Sequence, residues 1–451
     1  MKELDANRPS FLVLTGKRRV GKTELIKHFL SKHDRAIYLF VDNNKSPSVL
    51  LKEFESQARV ALDLPEYVQF STFDAFFELL LDRKEDIVVA FDEFQRFQTL
   101  DRGILTTIQR LWDLKGRRSR LFLIVSGSSI GMIKRIFIES QAPLFKRADN
   151  MVTLKPFTVR EIFKVLSDLG ISDLDEKLDI FTLFGGTIYY YRLMEKYRIK
   201  GFEDALDRLI LSDLAPLRNE VRDILIEEFG KEHATYYEIL SAMAMGKATK
   251  KDIADSTHIE PTSMSPYLYD LMDILEVAEH VIPVGAQKDL SKRGRYFLKD
   301  NFFRFYFRFI YRHMSEFQLG NYKALRRRVL DQWPDNRGRI LEDICLEFVR
   351  ERLSEEYPDL GRYWDRTGTE IEIVGIDKKA RRMVAIEVKS RDLDSRETDR
   401  ILAKLSEKVI HLRRDFDEIR FGVIARKVKN KAALKRMGIL CWDFRDLFGR
   451  A

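Results

Sequence analysis

Residues 11–23, Phe-Leu-Val-Leu-Thr-Gly-Lys-Arg-Arg-Val-Gly-Lys-Thr, run from an apolar strand straight into G-x-x-x-x-G-K-T. Glu24-Leu-Ile-Lys-His-Phe-Leu30 then continues as an amphipathic helix. Strand, loop and helix in that order are the setting of a phosphate-binding loop. Gly16 and Gly21 let the backbone of Lys17, Arg18, Arg19 and Val20 wrap a phosphate chain with its N–H groups. Lys22 reaches the β- and γ-phosphates, and the Thr23 hydroxyl is a magnesium ligand. The helix end beginning at Thr23-Glu24 adds the positive end of its dipole. A ligand-free glycine turn would not need all three elements to agree, so the motif implies nucleoside triphosphate binding.

A second motif points to hydrolysis. Ile87-Val-Val-Ala-Phe91 is wholly apolar, as a strand buried on both faces of a parallel sheet should be, and it ends in Asp92-Glu93. Asp92 can hold the magnesium shell, and Glu93 can polarise the attacking water as general base. Asp-Glu pairs on surfaces usually mean nothing. This one closes a buried strand about 70 residues after the loop.

Apolar strands at 11–15, 35–41, 87–91, 120–126 and 151–154, with helices between, predict a doubly wound parallel sheet over 1–155. The spacing leaves room for another strand between the loop strand and the Asp92 strand. Ser126-Gly-Ser128 ends the fourth strand, where Ser128 either touches the γ-phosphate or belongs to a plain turn. Residues 156–229 read as a helical lid, with Thr158 and Glu161 at capping-box spacing and Phe184-Gly-Gly-Thr187 breaking two helices. Residues 230–320 read as a winged helix with helices near Tyr236, Thr249 and Ser263, followed by wing strands at 277–281 and 296–298. Lys288 and Lys292-Arg293 lie in the wing. Such a module binds DNA or another protein. Residues 301–311 hold seven aromatic side chains, which form either a base-stacking platform or, since they recur on all faces, a core helix.

In 321–451 the pattern is helix, three strands, helix, strand. Alternation places Glu370 and Glu372 on one strand face and Glu387 with Lys389 on another. With Glu342 from the preceding helix, Glu372 and Glu387 form a candidate divalent-metal site, and Lys389 would steady a hydroxide or a scissile phosphate. Solvated charge on edge strands is the competing reading.

A net charge of +8 permits a nucleic-acid partner without requiring one. Arg326-Arg-Arg328 and 426–436 are the basic stretches. Two cysteines, Cys345 and Cys441, exclude a disulfide framework, and no apolar run approaches a membrane span. These features predict a soluble cytoplasmic protein.

On the residues just named, together with Gly127-Ser-Ser129, Pro143-Leu-Phe-Lys-Arg147, 296–309 and Gly361-Arg-Tyr-Trp-Asp365, nearly the whole chain resembles the archaeal-type ATPase family. That family joins a P-loop ATPase of the AAA and STAND-like class to a winged helix and a C-terminal PD-(D/E)xK nuclease-type domain. The resemblance implies ATP and Mg²⁺ as cofactors, with Mn²⁺ a second candidate at the C-terminal site. It implies DNA, duplex or branched and not base-specific, as partner, and it admits a homo-oligomer. Arg147 would then be an arginine finger reaching a neighbouring subunit's γ-phosphate, or one more surface Arg. Two departures stand out. The Gly-Arg-Glu-type box that opens the family has no counterpart before the first strand, so the base recognised is open. Glu372 stands where the family's Glu-Ile-Asp motif has Asp, one methylene shorter. An inactive nuclease fold that only grips DNA is therefore the alternative function.

Overall fold

The computed structural model describes residues 9–230, 233–286, 293–410 and 412–449, so Lys288 and Lys292 lie outside the described residues. The chain forms two compact units. The first takes the described residues up to Pro156 with Thr187–Tyr189 and Tyr269–Glu276, and the second takes Phe157–Gly186, Tyr190–Leu268 and those from Val277 on.

The first unit is built on a parallel sheet of β1 (Ser10–Thr15), β2 (Ala36–Phe40), β3 (Ile87–Asp92), β4 (Leu121–Gly127) and β5 (Asn150–Thr153). Its spatial order is β2-β3-β4-β1-β5. β4 therefore fills the place expected between the loop strand and the Asp92 strand. All six residues of β3 are buried, which explains why it reads as a continuous apolar run. Phe91 sits in a phenylalanine cluster, with ring centroids 5.7 Å from Phe54 and 5.5 Å from Phe77. Each ring buried this way contributes roughly 2–3 kcal/mol through the area it removes from water. Helical cover stops short of one margin: the four residues of β5 are exposed, because an edge strand pairs on one side only. The helix Ile130–Phe137 follows β4 directly. Ile274 packs so closely on Gly131 of that helix that a side chain there would overlap it.

In the second unit, Thr158 and Glu161 form the expected capping box at the helix Val159–Asp168. Gly185 and Gly186 separate the helices Leu174–Phe184 and Ile188–Tyr197. Helices His233–Ala244, Lys250–Thr257 and Met264–Tyr269 follow, the last running on as a π-helical turn Asp270–Ile274 that belongs to the first unit. An antiparallel hairpin of β6 (Ala278–Val281) and β7 (Arg295–Leu298) comes next. The aromatic run forms the helix Asn301–Phe305 and a π-helical turn Tyr306–Ile310, and Phe302, Phe303, Phe305, Phe307 and Phe309 are all buried. It is core, and a base-stacking platform is ruled out.

The helix expected at the start of 321–451 runs from Tyr322 to Leu353 through Pro334. Proline removes one hydrogen bond from the helix interior. Here the buried face Leu325, Val329, Trp333, Ile340 and Ile344 holds the helix together across it. A mixed sheet follows, formed by β8 (Asp359–Trp364), β9 (Glu370–Asp377), β10 (Arg382–Leu393), β11 (Glu418–Val428) and β12 (Leu440–Asp443). Its order is β12-β11-β10-β9-β8, with β10, β11 and β12 parallel and β8 and β9 antiparallel to their neighbours. The sequence reading missed β12, which is only four residues long. One face packs Val384, Ile386 and Val388 with Ile340, Ile344 and Phe348 of the long helix. The other packs Met383 and Ala385 with Leu405 and Val409, from the helix Ser395–Lys408 and the residue after it.

Candidate functional site

The phosphate-loop residues take up the geometry their sequence requires. Gly16 has φ +150°, and a Cβ there would lie 2.5 Å from the Leu154 carbonyl oxygen. Gly21 caps the helix Lys22–Leu30 in the left-handed region, φ 104°. Between them, Arg19 is also left-handed, with φ 63°, and Val20 is buried. The buried Lys22 ammonium donates to the carbonyls of Gly16 (2.7 Å) and Lys17 (3.1 Å), so the cation sits inside the loop. Glu24 is exposed in the first helical turn, where a carboxylate complements the dipole.

Thr23 and Asp92, 69 residues apart, meet: Thr23 Oγ1 donates to Asp92 Oδ2 at 2.7 Å. Tyr38 of β2 donates to the same oxygen at 2.8 Å. Burial and the neighbouring Asp92 push the Tyr38 phenol well above its ordinary pKa, so it remains a donor. A hydroxyl and a carboxylate are hard oxygen donors. With phosphate oxygens they make the kind of set that Mg²⁺ takes, one or two protein ligands and the rest from substrate and water. The site fits Mg²⁺ through Thr23 and Asp92.

Glu93 has φ 57°, strained for a residue with a Cβ. Its Oε2 accepts from Ser128 Oγ at 2.8 Å and from Gln95 Nε2 at 2.5 Å. Ser128 therefore touches Glu93. Arg147 lies in the turn before β5, where its guanidinium forks onto Asp113 at 3.1 and 2.9 Å and donates to the Phe145 carbonyl at 2.7 Å. Both partners of that ion pair are part-exposed, which makes it worth no more than about 1 kcal/mol and readily released.

Four neighbours of this site were not foreseen. Tyr38 and Gln95 had a signal, one polar residue in an apolar strand and one two positions after Glu93. Tyr189 had none: Arg19 stacks on its ring at 4.3 Å, and Ile188 lies within van der Waals reach of Gly21, although both residues are distant in sequence.

At the C-terminal cluster the structure brings Glu372, Glu387 and Lys389 together. Lys389 Nζ lies 2.8 Å from Glu387 and 3.3 Å from Glu372, and Lys408 reaches Glu387 Oε2 at 3.2 Å. Burial and the adjacent Glu387 raise the Glu372 pKa well above the carboxylate range. Burial works against ionised Glu387 too, but hydrogen bonds from Glu372 and Lys389 outweigh it and lower its pKa. Burial raises Glu342 as well, and Arg362 Nη2, at 3.3 Å, opposes this. Thus Glu342 is held by Arg362, while Lys389 occupies the space between the other two carboxylates. Among the described residues no three Asp, Glu, His or Cys side chains are disposed to hold a metal. This arrangement does not by itself fit a divalent ion. Lys408 and Arg362 are the residues missed here; Lys408 lies 19 residues beyond Lys389 and carries no motif.

The basic stretches picked from sequence are partly tied into the fold. Arg326 pairs with Glu203 and Asp207, and Arg328 with Glu316. Arg426 pairs with Asp175, and Lys431 with Asp443 and Asp446.

Residues 2–193 match the model of an ATPase domain found predominantly in Archaea. The N-terminal part of this chain is similar to that domain. Residues 306–401 match a family of archaeal and bacterial proteins of unknown function. An uncharacterized protein of Methanocaldococcus jannaschii is 29% identical over 95% of this chain and 94% of its own length. The Walker-type ATPase of Pyrococcus abyssi shares the P-loop ATPase fold at a TM-score of 0.51 and 20% identity, covering 67% of this chain and 91% of that one. The ORC2 protein of Aeropyrum pernix aligns at a TM-score of 0.46 and 13% identity, over 73% of this chain and 91% of that one. No helix among the described residues is long and apolar enough to cross a membrane.

Proposed function

We propose that this chain is an ATP-hydrolysing, DNA-binding protein whose nucleotide state controls a winged-helix module and a nuclease-like C-terminal domain. The observation that carries the hydrolase reading is the meeting of Thr23 and Asp92 at 2.7 Å beside a loop that encloses the Lys22 ammonium. A magnesium ion held by Thr23 and Asp92 would neutralise charge on the β- and γ-phosphates. Lys22 binds the same phosphates from the loop side. Glu93 accepts a proton from the water whose oxygen attacks the γ-phosphorus; the bond to the β–γ bridging oxygen breaks, and ADP and inorganic phosphate leave. Ser128 donates to Glu93 and holds the base in place at the end of β4.

Nucleotide control has a physical route. Ser128 precedes the helix Ile130–Phe137, and Gly131 of that helix packs on Ile274, in the segment Tyr269–Glu276 that continues the helix Met264–Tyr269 and belongs to the same first unit. A shift at Ser128 on hydrolysis would be passed to that helix through tight packing rather than through a flexible loop.

For the C-terminal domain one observation favours the second reading, a fold that grips DNA without cutting it. Lys389 bridges both carboxylates, and burial beside Glu387 works against ionising Glu372. Purified wild-type and Lys22→Ala protein, incubated with ATP and Mg²⁺ with and without labelled duplex and branched DNA, provide the test. Hydrolysis by wild type and none by Lys22→Ala is expected. Equal activity in both would overturn the assignment of the loop.

A further inference from the structure

We propose that the outward face of the helix Ser395–Lys408 is a track for the phosphate backbone of DNA, leading to the Glu372–Glu387–Lys389 cluster. Arg396, Arg400, Lys404 and Lys408 recur at every fourth position of this helix. Successive members lie about 6 Å apart along the axis, and the stripe turns only about 120° over its length of about 18 Å. Its buried residues, Thr398 and Leu405, face the sheet, whereas Arg396, Arg400 and Lys404 are exposed. None of these three has a hydrogen-bond or ion-pair partner among the described residues, unlike Arg326, Arg328, Arg426 and Lys431. Glu407 shares the face, and Glu397 at its start is taken up by Arg391.

The last member of the stripe ends at the cluster itself, since Lys408 Nζ lies 3.2 Å from Glu387. A row of unpaired cations that terminates at a buried carboxylate–lysine group has the layout of a backbone path with a destination. On one DNA strand, phosphates recur about every 3.4 Å of axis, so an 18 Å stripe runs beside about five of them. A sequence scan does not find the row, because the four residues are never adjacent.

This inference rests on the DNA-binding reading, and the test separates the two. Full-length wild type and the triple variant Arg396→Gln, Arg400→Gln, Lys404→Gln are compared by fluorescence anisotropy on a labelled duplex across a salt series. Loss of three phosphate contacts makes the log–log slope of affinity against salt shallower by about 2.7, at about 0.9 per contact. Melting temperature and ATP hydrolysis stay at wild-type values, because the three side chains are exposed and lie far from the phosphate loop in sequence. A second variant, Arg396→Lys with Arg400→Lys, keeps the charge and the wild-type slope. If wild type binds duplex and the triple variant keeps its slope, the track is refuted and DNA binding stands. If wild type binds no DNA, both fall. Binding to vesicles containing phosphatidylserine, lost in the triple variant while duplex is ignored, would overturn the assignment in favour of a lipid surface.

Discussion

Replacing Glu93 by Gln separates catalysis from binding and from folding within one side chain. In the native site Glu93 Oε2 accepts from Ser128 Oγ at 2.8 Å and from Gln95 Nε2 at 2.5 Å. Glutamine has the same shape, and its one carbonyl oxygen can take the place of Oε2, so both donors keep an acceptor but one that is no longer charged. The expected loss of stability is about 1 kcal/mol, a few degrees in melting temperature. The proton acceptor, by contrast, is gone. General-base catalysis is worth roughly 10²–10⁴ in rate, or about 2.7–5.5 kcal/mol of barrier, so the kinetic loss should greatly exceed the structural one. ATP affinity should change little, because the phosphates are met by the loop, Lys22 and Thr23 rather than by Glu93. Single-turnover hydrolysis of labelled ATP with Mg²⁺, alongside calorimetric titration of nucleotide, reads both quantities. Turnover within about twofold of wild type would show that another group takes the proton. Loss of ATP binding with a normal melting temperature would show that Glu93 holds substrate instead.

Four further outcomes are expected. Burial pushes Asp179 up to about 6 against the opposing pull of Arg337 and the Trp333 indole, with Glu176 and Asp175 adding to the rise. The folded chain then holds this proton more tightly than the unfolded one, so stability falls as pH rises from about 4 through about 6, by up to about 3 kcal/mol. Denaturant titrations of Asp179→Asn across that window should lack this component, and an unchanged slope would rule it out. At Gly186, a Cβ would overlap the Phe157 carbonyl oxygen, a backbone atom that cannot swing aside. Gly186→Ala should therefore lose about 3 kcal/mol or more in denaturant unfolding, and a neutral substitution would mean the backbone yields there. The C-terminal cluster should leave labelled DNA uncut with Mn²⁺ or Mg²⁺, and cutting by wild type that Glu387→Ala abolishes would overturn the grip-only reading. Persistent cutting by Glu387→Ala would place the activity elsewhere. Should Arg147 act in trans, mixing Arg147→Ala with Lys22→Ala protein restores ATP hydrolysis; no restoration in a verified mixed oligomer would leave it as the partner of Asp113 alone.

The ATPase core was legible because its signals are local. Gly16 and Gly21 mark backbone conformations that side chains resist, and an unbroken apolar run marks β3 as buried on both faces. Residues 11–24 and 87–93 carried the strand, the loop and both acids without reference to distant parts of the chain. The carboxylates of the C-terminal sheet were legible for the same reason, since alternation along a strand fixes which side chains share a face.

Partnership was not legible, because it depends on which elements the fold brings together. Nothing in the order of residues predicts that Tyr189 would stack on Arg19 or that Lys408 would reach Glu387. Nor does it predict that Arg362, rather than a metal-binding neighbour, would take Glu342. The basic stretches show the limit most plainly. Adjacent arginines at 326–328 look like a nucleic-acid patch on paper, yet Arg326 pairs with acids more than a hundred residues upstream, Arg328 with Glu316 of the preceding helix, and Arg327 with Asp331 one helical turn on. Arg396, Arg400 and Lys404 look scattered on paper, yet the helix lines them up. Sequence by itself determined the phosphate loop, its Asp–Glu strand and the class of fold, because backbone conformation and burial are written residue by residue. Only the tertiary structure decided which charges stay available, because a charge is satisfied by whatever the folded chain sets beside it.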